Sequence, residues 1–122
     1  MLVARNGAQY LPRTLAALAA QTRRPDSVLL VDASSADGSG ALLSAAAPDG
    51  VVTTPGRRSF GAAVAYALQL APPQAAENEW LWLLGHDNAP EPSALSALLG
   101  AVEVAPSVAI AGPSSCAGTS RR

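Results

Sequence analysis

The sequence contains no lysine, which removes the P-loop lysine, the Schiff-base lysine and the usual pyridoxal phosphate anchor together with the enzyme classes built on them. One cysteine (Cys116) and one histidine (His86) are too few for a Cys/His zinc site or an internal disulfide. Nothing therefore marks a secreted, stapled scaffold, and a reducing cytoplasm is the expected setting. No apolar run approaches the roughly 18 residues of a membrane span. A signal peptide is not expected either, because Arg5, Asn6 and Gln9 interrupt the place of its apolar stretch. The arginines fall in scattered pairs, Arg23-Arg24, Arg57-Arg58 and Arg121-Arg122, with Arg5 and Arg13 alone. That is no basic stripe, so nucleic acid is not an expected partner.

What is present fits one packed domain: 122 residues, 49% hydrophobic against 14% charged, with a net charge of −1. Apolar runs at Ser27–Val31, Val51–Thr54, Trp80–Leu84 and Val108–Ala111 read as buried strands, and Met1–Ala4 as a truncated first strand. Helical periods lie between them, in Leu11, Leu15 and Leu18, in Val64, Ala67, Leu68 and Ala71, and in Leu95, Leu98, Leu99 and Val102. Gly38–Ala47 is a further helix, and the last one is expected to start at Ser93 as N-cap and to close at Pro106. Strand and helix alternate, which predicts a mainly parallel sheet covered on both faces.

In open sheets of this kind ligands bind beyond the carboxyl ends of the strands. The residues expected there are Arg5-Asn6-Gly7, Asp32-Ala33-Ser34-Ser35, Thr54-Pro55-Gly56, Gly85-His86-Asp87-Asn88 and Gly112-Pro113. Asp32 ends an apolar strand where a carboxylate can accept hydrogen bonds from a ribose or a base, whereas Asp37 and Ser39 read first as helix caps. Asp87 is a hard oxygen ligand for Mg²⁺ or Mn²⁺ on a diphosphate, and such ions keep waters and need few carboxylates. Two competitors use the same rim. A Ser-His-Asp hydrolase would draw on Ser34, Ser35, Asp32 and His86 but lacks the Gly-x-Ser-x-Gly elbow. A dinucleotide site would need three glycines where Asn6-Gly7-Ala8-Gln9-Tyr10 has one.

Across nearly its whole length the chain resembles glycosyltransferase family 2, the inverting nucleotide-sugar transferases of GT-A fold. The resemblance rests on Ala4-Arg5-Asn6-Gly7 with Tyr10-Leu11-Pro12, then Leu15 through Gln21-Thr22, then Val31-Asp32-Ala33-Ser34-Ser35-Ala36-Asp37-Gly38-Ser39. It continues in Ser59-Phe60-Gly61-Ala62-Ala63, in Gly85-His86-Asp87-Asn88-Ala89-Pro90 as the metal motif, and in Ile110-Ala111-Gly112-Pro113. It implies a Rossmann-like α/β/α sandwich of GT-A type over residues 1–113, truncated, with a flexible tail over 114–122. It implies nucleotide contacts at Ala4, Arg5, Asn6, Asp32, Gly61, His86 and Asp87, and Mg²⁺ or Mn²⁺ at Asp87.

The sequence departs from the family pattern in three ways. Ala33 stands where an acid or amide often meets the base, Arg5 where an aromatic often stacks, and His86 where the metal motif has its first aspartate. The acceptor half and its catalytic base are expected beyond the chain end. The implied activity is sugar transfer from a nucleoside diphosphate sugar to a hydroxyl of a glycan or lipid-linked acceptor in polysaccharide or cell-envelope synthesis, in the cytoplasm or at the cytoplasmic face of a membrane. This chain would be its donor-binding half, with exposed apolar surface that favours a homodimer. The alternative is a non-catalytic nucleotide-binding or interaction module of the same fold.

Overall fold

A computed structural model of the chain describes residues 1–47, 50–70, 79–105 and 107–112. Four strands, β1 (Leu2–Ala4), β2 (Leu30–Asp32), β3 (Val51–Thr53) and β4 (Leu84–Gly85), alternate with four helices, α1 (Leu11–Ala19), α2 (Ser39–Ala46), α3 (Phe60–Leu70) and α4 (Ala94–Glu103). Every pair is parallel and the strand order is β3-β2-β1-β4. The chain thus steps outward from β1 to β2 and β3, then crosses back to lay β4 on the other side of β1. Right-handed crossovers running in opposite directions carry their helices to opposite faces, and this is how the Rossmann-like sandwich forms.

Period-two alternation along the strands sorts the core into two halves. Leu2, Ala4, Leu30 and Leu84 meet Leu11 of α1 and Leu43 of α2, with the half-buried Leu15 and Leu18 packed behind. On the other face Val3, Val31 and Ala33 meet Ala63 and Ala67 of α3. Leu2, Leu11, Leu30 and Leu43 are fully buried, and each such side chain contributes about 1.5–3 kcal/mol of transfer free energy. Asp32 shares its parity with Leu30, so its side chain leaves the sheet on the α1 and α2 face.

Several elements differ from the sequence expectation. The second strand starts at Leu30 and includes Asp32, which pairs with Ala4 and Thr53. Only Leu84 of the apolar run 80–84 is paired, because β1 offers Leu2 and Val3 as partners to Leu84 and Gly85 and no more. Val108–Ala111 pairs with nothing among the described residues, and Ile110 is 91% exposed. Ser93 occupies the N-cap position of α4 but makes no side-chain cap. Ala71, Pro106, Pro113 and the tail 114–122 lie outside the described residues.

The first turn of α4 is capped instead from the end of α1. Gln21, 4% exposed, accepts the Leu95 N–H on Oε1 (3.1 Å) and donates Nε2 to the carbonyls of Glu91 (2.8 Å) and Ala17 (3.2 Å). Gln21→Ala strands one buried N–H and leaves two carbonyls short of a donor. A loss of about 1–3 kcal/mol is expected from a shifted urea midpoint; an unchanged midpoint would show that α4 is not held this way.

Candidate functional site

The segment leaving β1 carries four successive backbone N–H groups, and each is taken by a side chain of another element. Arg5 N–H is accepted by His86 Nδ1 (3.3 Å), Asn6 N–H by Ser35 Oγ (3.0 Å), Gly7 N–H by Ser39 Oγ (2.9 Å) and Ala8 N–H by Asp37 Oδ2 (3.1 Å). Asn6 answers with its own carboxamide oxygen, which accepts Ala36 N–H at 2.7 Å. Asn6 holds a left-handed backbone (φ 50°), a conformation that asparagine tolerates better than most residues. The β1 and β2 loops are thereby joined along their length.

His86 is fixed from three sides. Its ring lies against Gly7, where a Cβ would approach the imidazole Cγ to 2.4 Å, and it stacks on Tyr10 with centroids 6.1 Å apart. Its carbonyl accepts the buried Thr14 hydroxyl at 2.6 Å. An accepting Nδ1 puts the neutral ring's hydrogen on Nε2. The following turn closes as Asn88 Oδ1 accepts Gly85 N–H (2.7 Å) while Asn88 N–H returns to Gly85 O (3.2 Å). That leaves Asp87 exposed at the tip, its carboxylate free of hydrogen bonds among the described residues.

Asp32 and Asp87 share the carboxyl rim but not one face of the sheet. Asp32 is 7% exposed; Oδ1 accepts Ser35 N–H at 3.0 Å, and a Cβ on Gly40 of α2 would lie 2.9 Å from Oδ2. On the α3 face, at the point between β1 and β4 where strand order reverses, a cavity of about 220 Å³ opens. Val3, Ala33 and Gly85 line it from the strand ends, Arg5, His86 and Asp87 from the rim, and Arg58 and Phe60 from the start of α3. A topological switch point is where such sheets bind ligands.

Of the residues expected from sequence, Arg5, His86 and Asp87 meet at this cavity. Ala4 is buried in the sheet, Asn6 and Asp32 brace the loops, and Gly61 sits exposed in the first turn of α3 with open space beside it. Sequence reading missed Arg58, whose signal was its place just before a helix start. Its guanidinium lies over the Tyr66 ring, 5.0 Å from the centroid. Among the described residues no Ser-His pair forms: the Ser34 hydroxyl donates to Thr54 O (2.6 Å), Ser35 Oγ accepts from Asn6 N–H, and His86 Nδ1 accepts from Arg5 N–H.

The family model described as Glycosyl transferase family 2 matches residues 1–121. A search of curated proteins gives no match. Similar solved structures include residues 1–349 of S. aureus TarS, with TM-score 0.65 and 20% identity over 84% of this chain and 31% of that one. The same protein in complex with UDP aligns with TM-score 0.65 and 18% identity over 85% of this chain and 31% of that one. Its complex with UDP-GlcNAc gives TM-score 0.66 and 20% identity over 84% and 30%. The chain spans about a third of the length of these structures, and at this identity the likeness speaks to the fold.

Two outcomes follow from the geometry. Gly7→Ala overpacks the His86 ring and is expected to cost about 1–3 kcal/mol, a loss that shrinks in the Gly7→Ala/His86→Ala double variant; strict additivity of the urea midpoints would mean the two residues do not meet. The Ser39 side chain and backbone N–H, with the Ala8 N–H, hold the Asp37 carboxyl below its ordinary value of 3.8. A lowered folded-state value stabilises fully above the ordinary one and is lost as pH falls through the folded one. Wild type should therefore exceed Asp37→Asn in thermal midpoint at neutral pH and lose that advantage below about pH 3.8. A pH-independent gap would refute the role of the charge.

Proposed function

The chain belongs to glycosyl transferase family 2, and from that premise we propose that it is the donor-binding half of an inverting glycosyltransferase. The observation that carries this reading is the cavity at the strand-order reversal, where Arg5, Arg58, His86 and Asp87 converge over an apolar floor. The donor is a nucleoside diphosphate sugar. Arg5, His86 and Asp87 contact it directly; Ala4, Asn6 and Asp32 act from behind by fixing the strand ends and loops, and Gly61, exposed in the first turn of α3, lies outside the cavity lining. Complexes of the similar S. aureus protein with UDP and UDP-GlcNAc make uridine diphosphate the first nucleotide to test.

A divalent ion fits this rim in one way. Among the described residues no three His, Cys, Asp or Glu side chains gather, and the His86 nitrogen facing β1 is occupied. Asp87 alone presents a free carboxylate. Mg²⁺ or Mn²⁺ would be held there as a largely hydrated ion completed by phosphate oxygens, and it would supply charge neutralisation to the departing nucleoside diphosphate. The chain's own share is positional: the His86 Nε2 hydrogen is a donor at the cavity wall, suited to a ribose hydroxyl, and Val3, Ala33 and Gly85 exclude water beneath the donor. No catalytic base is assigned within the chain; the acceptor, a hydroxyl of a glycan or lipid-linked carrier, meets the rest of a longer enzyme on the cytoplasmic side. The exposed Trp80, Leu81 and Leu83 beside β4, whose outer edge is unpaired among the described residues, support association with a second copy. No helix among the described residues is long and apolar enough to cross a membrane.

Calorimetric titration with UDP in Mn²⁺ tests the reading. Binding is expected, and Asp87→Asn should weaken it roughly tenfold, about 1.4 kcal/mol, in Mn²⁺ and leave it unchanged in EDTA. Absence of heat with uridine, guanosine and thymidine diphosphates at millimolar concentration would favour a module that does not bind nucleotide. Equal weakening in both buffers would remove the metal from Asp87.

A further inference from the structure

The cavity holds more positive than negative charge, and the cations are unanswered. Arg5 and Arg58 both line it, and the Nε of each is a buried donor with no hydrogen-bond partner among the described residues. Neither forms an ion pair: among the described residues the one salt bridge joins Arg23 to Asp26, on the surface. A buried guanidinium donor without an acceptor is unfavourable, and an anion in the space beside it would satisfy both the donor and the charge.

The backbone cannot answer an anion at the β1 end of this rim. In phosphate-binding loops successive N–H groups cradle the phosphate; here the N–H groups of Arg5, Asn6, Gly7 and Ala8 are all consumed by His86, Ser35, Ser39 and Asp37. The single carboxylate at the cavity, Asp87, offers a metal little purchase beyond what the phosphates themselves provide. What the rim does offer is two planar forks of N–H donors, matched in shape to phosphate oxygens. Arg58 is held by its stacking over Tyr66, and the Arg5 backbone is fixed at the rim by donating its N–H to His86 Nδ1.

We propose that Arg5 and Arg58 clamp the diphosphate of the donor and supply the positive charge at this rim, so that nucleotide binding persists without a divalent ion. The inference rests on the donor-binding reading above. It differs from it in where the charge comes from: the protein's own side chains carry it, and the metal at Asp87 adds to it.

The test is titration of the full chain with UDP, UMP and uridine by calorimetry, in EDTA and in Mn²⁺. Wild type is expected to bind UDP in EDTA within about tenfold of its affinity in Mn²⁺, and to lose that affinity steeply as salt rises. Arg58→Gln and Arg5→Gln should each weaken UDP in EDTA by tenfold or more, about 1.4 kcal/mol per decade, and UMP by less. For Arg58→Gln uridine affinity should not move, which separates a lost clamp from a damaged fold; for Arg5→Gln an unchanged thermal midpoint makes that separation. Tyr66→Leu, which removes the platform under Arg58, should weaken UDP in EDTA by a smaller factor. Binding of UDP by wild type in Mn²⁺ but not in EDTA would overturn the clamp and leave the donor reading standing. So would Arg→Gln variants that match wild type in EDTA. Failure of every nucleotide in both buffers would overturn the donor reading and the clamp with it.

Discussion

The rim is organised by the need to satisfy four backbone N–H groups as the chain leaves β1. A loop that runs from a buried strand into a helix carries backbone donors that need acceptors, and here the Gly7 N–H is buried and the Arg5 N–H partly so, while those of Asn6 and Ala8 lie nearer solvent. Here the acceptors are His86, Ser35, Ser39 and Asp37, drawn from the loops after β4 and β2. The consequence is geometric: satisfying one segment's amides fixes both neighbouring loops against it. It also explains the serine-rich run after Asp32, since the hydroxyls that look like generic turn chemistry are the ones that reach back to β1. Gly7 follows from the same constraint, because the imidazole that accepts Arg5 N–H lies where any Cβ at residue 7 would stand.

Much of this was legible in the residues, and the parts that were not have definite physical causes. The alternation of apolar runs with helical periods was enough for the parallel sandwich, because buried parallel strands and one-sided helices leave different repeats. The carboxyl rim followed from topology alone, and with it Arg5, His86 and Asp87. Strand length was not legible: Trp80–Leu83 has every local feature of a strand, yet a strand extends only as far as its neighbour, and β1 ends the ladder at Leu2. Asp32 shows a different gap. Its place at the strand end was clear, but counting by twos from Leu30 puts its carboxylate on the α2 face and leaves Ala33 to face the cavity. Gln21 was hidden for a third reason, since it acts on the start of α4, some seventy residues on, and Arg58 because only the fold brings the start of α3 to the rim of β1 and β4.

Charge is distributed across the sheet with the same economy. Negative groups that brace the loops, Asp32 and Asp37, are turned toward helix starts and backbone donors, where their charge is answered locally. The α3 face of the rim keeps two guanidinium groups and one exposed carboxylate above an apolar floor. A floor of that kind lowers the local dielectric, so the cations act on a phosphate more strongly than the same groups would on an open surface. Turning Asp32 to the α2 face while Arg5 and Arg58 line the α3 face is what leaves this cavity net positive in a chain whose overall charge is −1.

His86 belongs to this arrangement. Where the resemblance leads one to expect an aspartate, an imidazole accepts the Arg5 N–H on Nδ1 and presents a hydrogen on Nε2. A carboxylate at the same place would accept that N–H equally well. It would also stand at the cavity beside Arg5 and Arg58 and compete with a phosphate for both. The neutral ring meets the structural demand of β1 without spending the pocket's positive charge. An imidazole at residue 86 and arginines at residues 5 and 58 thus fit together electrostatically: the cavity keeps two guanidinium groups, and Asp87 stays its single carboxylate.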